Sequence, residues 1–139
     1  DERISGCVER IDGAVERIGE YDERIRRAVE WLNQAVDGLR EAGTEHHLPR
    51  GLLARAACRR WAAHFPPAER DLRECEEIAQ RGGMQLHLID CHLEAARLAR
   101  ASGRAVLGRT AAEHLAAAQA GIAKTGYKRR LVEAEQLRR

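Results

Sequence analysis

The sequence predicts an all-α fold of stacked antiparallel helix hairpins, about three of them followed by a C-terminal capping helix. Three observations carry this. The 139-residue chain holds 24 Ala, 22 Arg and 14 Leu against 6 Val, 7 Ile and 3 Thr, so helix formers far outnumber the β-branched residues that strands favour. Turn-forming residues gather at Gly43-Thr44, Pro66-Pro67, Gly82-Gly83, Ser102-Gly103 and Thr125-Gly126, and the segments between them have ordinary helix lengths. Within those segments apolar residues recur with helical period. The length suits a single domain spanning 1–139, with an N-terminal helix over 1–21, repeats over 22–126 and a cap over 127–139.

The first 42 residues admit two readings. Ile4, Val8, Ile11, Val15, Ile18, Ile25, Val29, Leu32, Val36 and Leu39 fall on a 3.5-residue repeat, and only Asp22 interrupts the seam. One reading is a single coiled-coil helix. The other is a hairpin turning near Gly19-Glu20-Tyr21-Asp22. Gly6, Gly13 and Gly19 each cost a continuous helix about 1 kcal/mol, and Asp22 is a good N-cap residue. These favour the hairpin.

The later elements follow in order. Pro49 suits the first turn of a helix over Leu48 to Ala63. Pro67 suits the first turn of the next, whose buried stripe is Ala68, Leu72, Cys75, Ile78 and Ala79, with Gly82-Gly83 as its stop. Met84 to Ala101 is apolar nearly all round, so it is expected to be the most buried helix. Thr110 to Lys124 carries Ala111, Leu115, Ala118 and Ile122, and Gly126 ends it. Lys128 to Arg138 forms the cap. Trp31 and Trp61 are expected to anchor helix against helix.

The bulk numbers exclude several classes. A net charge of +2 is not the electrostatic footprint of a nucleic-acid binder. No apolar run approaches the roughly 18 residues of a membrane span, and no apolar signal core follows the first residues. Cys7, Cys58, Cys75 and Cys91 have no CxxC spacing, which points to reduced thiols in a cytoplasmic protein. The absence of an initiator Met suggests a piece of a larger protein.

A repeat runs through the chain. Ala28-x3-Leu32-x2-Ala35 recurs as Ala68-x3-Leu72-x2-Cys75 and as Ala111-x3-Leu115-x2-Ala118, at spacings of 40 and 43 residues. Small residues let helices approach and the large one fills the gap between them, so each hairpin buries its face against its neighbours. This pattern resembles the tetratricopeptide repeat, most clearly at Ala63-His64-Phe65-Pro66-Pro67-Ala68, with a second turn at Ser102-Gly103. More narrowly, His47 to Ala57 and Gly83 to Glu94 resemble the tetratricopeptide arrays at the C-termini of bacterial multidomain signalling proteins. The resemblance covers roughly residues 22–130. It departs at Ala63, which stands where the family has a turn Gly, and in spacings longer than the family's roughly 34 residues. It implies a protein-binding scaffold without cofactor, able to regulate an effector domain.

In the Met84–Ala101 segment, His87, Asp90, Glu94 and Arg97 form one polar stripe. With Arg50 and Arg60 they are the candidate residues for a concave groove that binds a peptide or partner domain. A solvated face with a Glu94–Arg97 pair is the bland alternative. A metal held by His87 and Cys91, completed by Asp90 or His114, lacks a second ligand pair of suitable spacing, so no metal site is assigned. Lys124, Lys128, Arg129 and Arg130 form a basic cluster that reads as cations at helix ends, with a phosphate or acidic-peptide contact as the alternative. His92 faces the apolar side as a packed core histidine. Lys124-Thr125-Gly126 has no upstream Ser-x-x-Lys, the only serines being Ser5 and Ser102. The leading function is therefore a non-enzymatic interaction module. Homo-oligomerisation through residues 4–39 competes with it, and a metal-assisted enzyme using His87, Asp90 and Glu94 is a remote third.

Overall fold

The structure, a computed structural model, describes residues 2–139. Six helices follow one another: α1 (Glu2–Glu41), α2 (Leu48–Trp61), α3 (Phe65–Arg81), α4 (Gln85–Ser102), α5 (Ala111–Thr125) and α6 (Leu131–Arg138), with a single 3-10 turn at Lys128–Arg130 before the last. Among the described residues there is no strand, only an isolated antiparallel bridge between Val106 and Arg109. None of these helices is long and apolar enough to cross a membrane.

The expected N-terminal hairpin does not form. α1 runs unbroken through Gly19-Glu20-Tyr21-Asp22, and Asp22 caps nothing. The reason lies in the phase of the seam. Ile18, Asp22 and Ile25 keep the 3.5-residue step, so no turn shifts the register, and Gly19 stays out of the left-handed region. Just beyond, Glu23 pairs with Arg26 at 2.6 Å and Arg27 at 3.4 Å, and Arg26 reaches Glu30 at 3.3 Å. Such i,i+3 and i,i+4 pairs support a continuous helix. The chain therefore has two complete hairpins, α2–α3 and α4–α5, flanked by α1 and α6.

Pro49 stands in the first turn of α2, and Pro66 and Pro67 open α3, where missing N–H groups cost nothing. The α2–α3 turn places Ala63 at φ 59°, a left-handed conformation that costs a non-glycine residue about 1–2 kcal/mol. Thr110 opens α5 with a capping box: its hydroxyl accepts from the Glu113 N–H while the Glu113 carboxylate accepts from the Thr110 N–H. That contact holds the Glu113 carboxyl below its ordinary range.

Two apolar cores share α4. One joins α1, α2, α3 and α4 through Val36, Leu52, Leu72, Cys75, Leu98 and the loop residue Val106. The other joins α4, α5 and α6 through Ile89, Leu93, Leu115, Ile122 and Ala134. The small–large–small stripes of α3 and α5 are buried at Ala68, Leu72, Cys75, Leu115 and Ala118, but Ala35 of α1 is exposed. The first copy of the repeat, on α1, therefore does not pack like the other two. α4 has eight buried residues, more than any other helix.

The tryptophans are not buried anchors. Trp31 is 79% and Trp61 61% exposed. Trp31 lies off the seam on the outer side of α1. Trp61 ends α2 and makes an edge contact with Tyr21 at 6.5 Å between ring centres, with the Arg60 guanidinium 5.2 Å from its ring.

Candidate functional site

The polar stripe of α4 faces a groove between α2 and the C-terminal segment. The groove has a volume of about 410 Å³. α2 supplies Arg50 and Leu53, α4 supplies Leu86, His87, Asp90, Glu94 and Arg97, and the end of the chain supplies Tyr127, Arg129, Arg130 and Glu133. Of the six residues expected from sequence, Arg50, His87, Asp90, Glu94 and Arg97 line it. Arg60 does not line it, but it binds Glu94, which does.

The groove's charges form a chain of alternating sign. Arg60 Nε donates to Glu94 Oε1 at 2.6 Å, and Arg97 Nη1 donates to Glu94 Oε2 at 3.2 Å. Arg97 Nη2 reaches Glu133 Oε2 at 2.7 Å, Arg130 Nη1 reaches Glu133 Oε1 at 2.5 Å, and Arg130 Nε reaches Asp90 Oδ1 at 2.9 Å. Three cations thus face three carboxylates drawn from α2, α4, the 3-10 turn and α6. Glu94 is only 5% exposed, and a carboxylate so buried is tolerable only when paired. Burial opposes ionisation of Glu133, but Arg97 and Arg130 outweigh it and hold its carboxyl below the usual range. The Arg130 guanidinium is desolvated yet pushed further toward its charged form by Asp90 and Glu133. It also lies 5.8 Å from the Tyr127 ring.

Two cations stand outside this chain. Arg50 and Arg129 line the groove, are exposed and have no ion pair among the described residues. The groove therefore carries an unmatched positive charge beside apolar surface at Leu53 and Leu86, the latter 47% exposed.

Of the residues weighed for a metal, Cys91, Asp90 and His114 have other partners. The Cys91 thiol points at the Leu72 carbonyl at 3.6 Å, and contact with the Cys75 thiol together with burial pushes its pKa up. Asp90 is taken by Arg130. His114 turns to His92 and to the Val106 carbonyl, 2.7 Å from its Nε2. Among the described residues no group of three His, Cys, Asp or Glu side chains is placed to hold a metal ion.

Arg129, Arg130 and Glu133 were not in the expected set. Arg130 and Glu133 enter through pairs separated by 40 and 36 positions (Asp90–Arg130 and Arg97–Glu133), and Arg129 enters through the lining alone. The basic cluster at Lys128-Arg129-Arg130 was the only local trace. Comparison with known protein families, with curated proteins and with solved structures finds no match.

Proposed function

We propose that the chain is a non-enzymatic interaction module of the tetratricopeptide-like type, whose stacked hairpins present the α2–α4–α6 groove to an acidic peptide segment of a partner protein. The observation that carries this is the residual charge of the groove. Every lining carboxylate is already bound by arginine, which leaves none as a free base and leaves Arg50 and Arg129 as exposed cations without a carboxylate partner among the described residues. A guanidinium recognises a carboxylate with directed, charge-assisted hydrogen bonds. Leu53 and Leu86 lie alongside and suit an apolar side chain of the same segment. The tetratricopeptide resemblance supports the same reading, including a place in a bacterial cytoplasmic signalling protein.

Amide chemical-shift titration with short acidic, neutral and basic peptides, each bearing one Leu, tests it. The acidic peptide is expected to move amides of α2, α4 and the 128–133 segment, and the double variant Arg50→Glu, Arg129→Glu to remove the response without loss of helix. Equal responses to all three peptides, or no response at about 1 mM, would refute it.

A further inference from the structure

The N-terminal half of α1 stands apart from both cores. α1 contributes buried residues only from Ile25 onward, whereas Ile4, Val8, Ile11, Val15 and Ile18 are each between 49% and 65% exposed. The stretch is a near-literal heptad repeat. Glu2-Arg3-Ile4, Glu9-Arg10-Ile11, Glu16-Arg17-Ile18 and Glu23-Arg24-Ile25 recur every seven residues. Val8 and Val15 complete the seam, Asp22 ends it, and from Ile25 the same face of the helix turns to the protein's own α2.

We propose that residues 4–21 of α1 form a coiled coil with the same segment of a second copy of this chain. A repeat of 3.5 residues is what two helices need to keep their apolar faces together along a left-handed supercoil. The seam alternates Ile and Val, so each copy supplies the knobs and holes that the other requires. Positions beside the seam decide which helix is accepted. Here they are Ser5, Cys7, Asp12, Ala14, Gly19 and Tyr21, with Asp12 the only charge. No row of acids or bases selects a differently charged partner. The small side chains of Ser5, Cys7, Ala14 and Gly19 let two identical backbones approach, while Tyr21 at the end of the segment meets the chain's own Trp61. The glutamates and arginines sit one and two positions further round, out of the contact. The segment is about 27 Å long. With roughly 100 Å² of apolar surface for each of ten seam side chains, the pair buries on the order of 1,000 Å², the level at which specific interfaces begin.

Sedimentation of the whole chain from about 5 to 500 µM tests this. At the upper end the mass is expected to reach twice the 15.6 kDa of one chain. Ile11→Asp puts a charge in a central layer and is expected to weaken association at least ~30-fold, while the circular dichroism of the array persists. Val15→Lys gives a second reading on the same seam if the first variant does not stay soluble. Trp31→Ser, off the seam, is expected to change nothing. A monomer at every concentration, or a dimer that neither seam variant weakens, overturns the proposal.

Discussion

His92 of α4 and His114 of α5 meet Nδ1 to Nδ1 at 3.0 Å across the second hairpin. His114 is fully buried, and its Nε2 lies against the Val106 carbonyl, which can only accept. That nitrogen must therefore carry the proton, and when both rings are neutral its Nδ1 accepts and His92 Nδ1 donates. The pair ties the α4–α5 hairpin to the loop that closes it. It also places a titratable ring where charge is unwelcome. Burial first, with His114 and Arg109 adding, pushes the His92 pKa down from 6.5 to about 4.

The sign of the pH effect follows. Below pH 6.5 the unfolded chain binds a proton on His92 that the folded chain refuses until about pH 4. Stability from this group is present above 6.5 and declines as pH falls through that window. Urea midpoints are expected to drop between pH 6.5 and 4, and to drop less in His92→Asn, which keeps a donor but does not titrate. An equal slope in the variant would show that other groups set the acid limit.

Asp71 is the most buried carboxylate among the described residues, 3% exposed. Arg55 grips it with Nη2 at 2.7 Å and Nε at 3.1 Å, Arg59 adds a contact at 2.8 Å, and Arg55 also donates to Asn33 of α1 at 3.0 Å. One acid thus joins α1, α2 and α3. Asp71→Ala strands a nearly buried guanidinium and is expected to cost about 3–5 kcal/mol, read as a shift in urea midpoint at constant slope. Glu74→Ala removes a more exposed contact with Arg40 and is expected to cost less than about 1 kcal/mol.

Glycines on the two kinds of helix surface respond oppositely. A Cβ at Gly121 of α5 would lie 2.7 Å from Ile89 Cγ1 of α4, while one at Gly6 or Gly19 meets nothing within 4 Å. Gly121→Ala gains helix propensity but overpacks the second core, with a net loss of about 1–3 kcal/mol expected. Gly19→Ala carries no such penalty and is expected to raise helix content by stabilising α1 about 1 kcal/mol locally. Thermal melts followed by circular dichroism distinguish the two.

Much of this architecture was legible in local signals. Pro49 and Pro67 mark helix starts because a fixed φ and a missing N–H suit a first turn. Gly83 and Gly126 mark helix ends because they take a left-handed φ of 62° and 72° without a Cβ penalty, and Ala68-Leu72-Cys75 announced its buried stripe by spacing alone. The unbroken α1 was harder. Its glycines and Asp22 resemble a turn, and only the undisturbed phase from Ile18 to Ile25 argues for continuity. The tryptophans misled in part: their places at the end of α2 and off the α1 seam leave both largely in solvent, although Trp61 still meets Tyr21 of α1. The stripe from His87 to Arg97 was found, but not its occupation by Arg130 and Glu133. Those contacts exist only after the cap folds back over a distance no periodicity encodes.

Glu133 holds that cap. It bonds Arg97 of α4 on one side and Arg130 on the other, while Ala134 beside it is buried in the second core. α6 has only eight residues, too few to be stable alone, so its helicity depends on these contacts. Glu133→Gln keeps the shape but removes the charge that matches two arginines. The bridges are partly exposed, so a loss of about 1 kcal/mol in global stability is expected. The local effect is larger: with Glu133 neutral, Arg97 and Arg130 repel across the groove and α6 opens ahead of the rest. Trypsin is then expected to cut after Arg129 or Arg130 several-fold faster than in the parent, and amide exchange to rise across 131–138 while α3 and α4 stay protected. Unchanged cutting would mean that apolar contacts at Ala134 and Leu137 alone hold the cap.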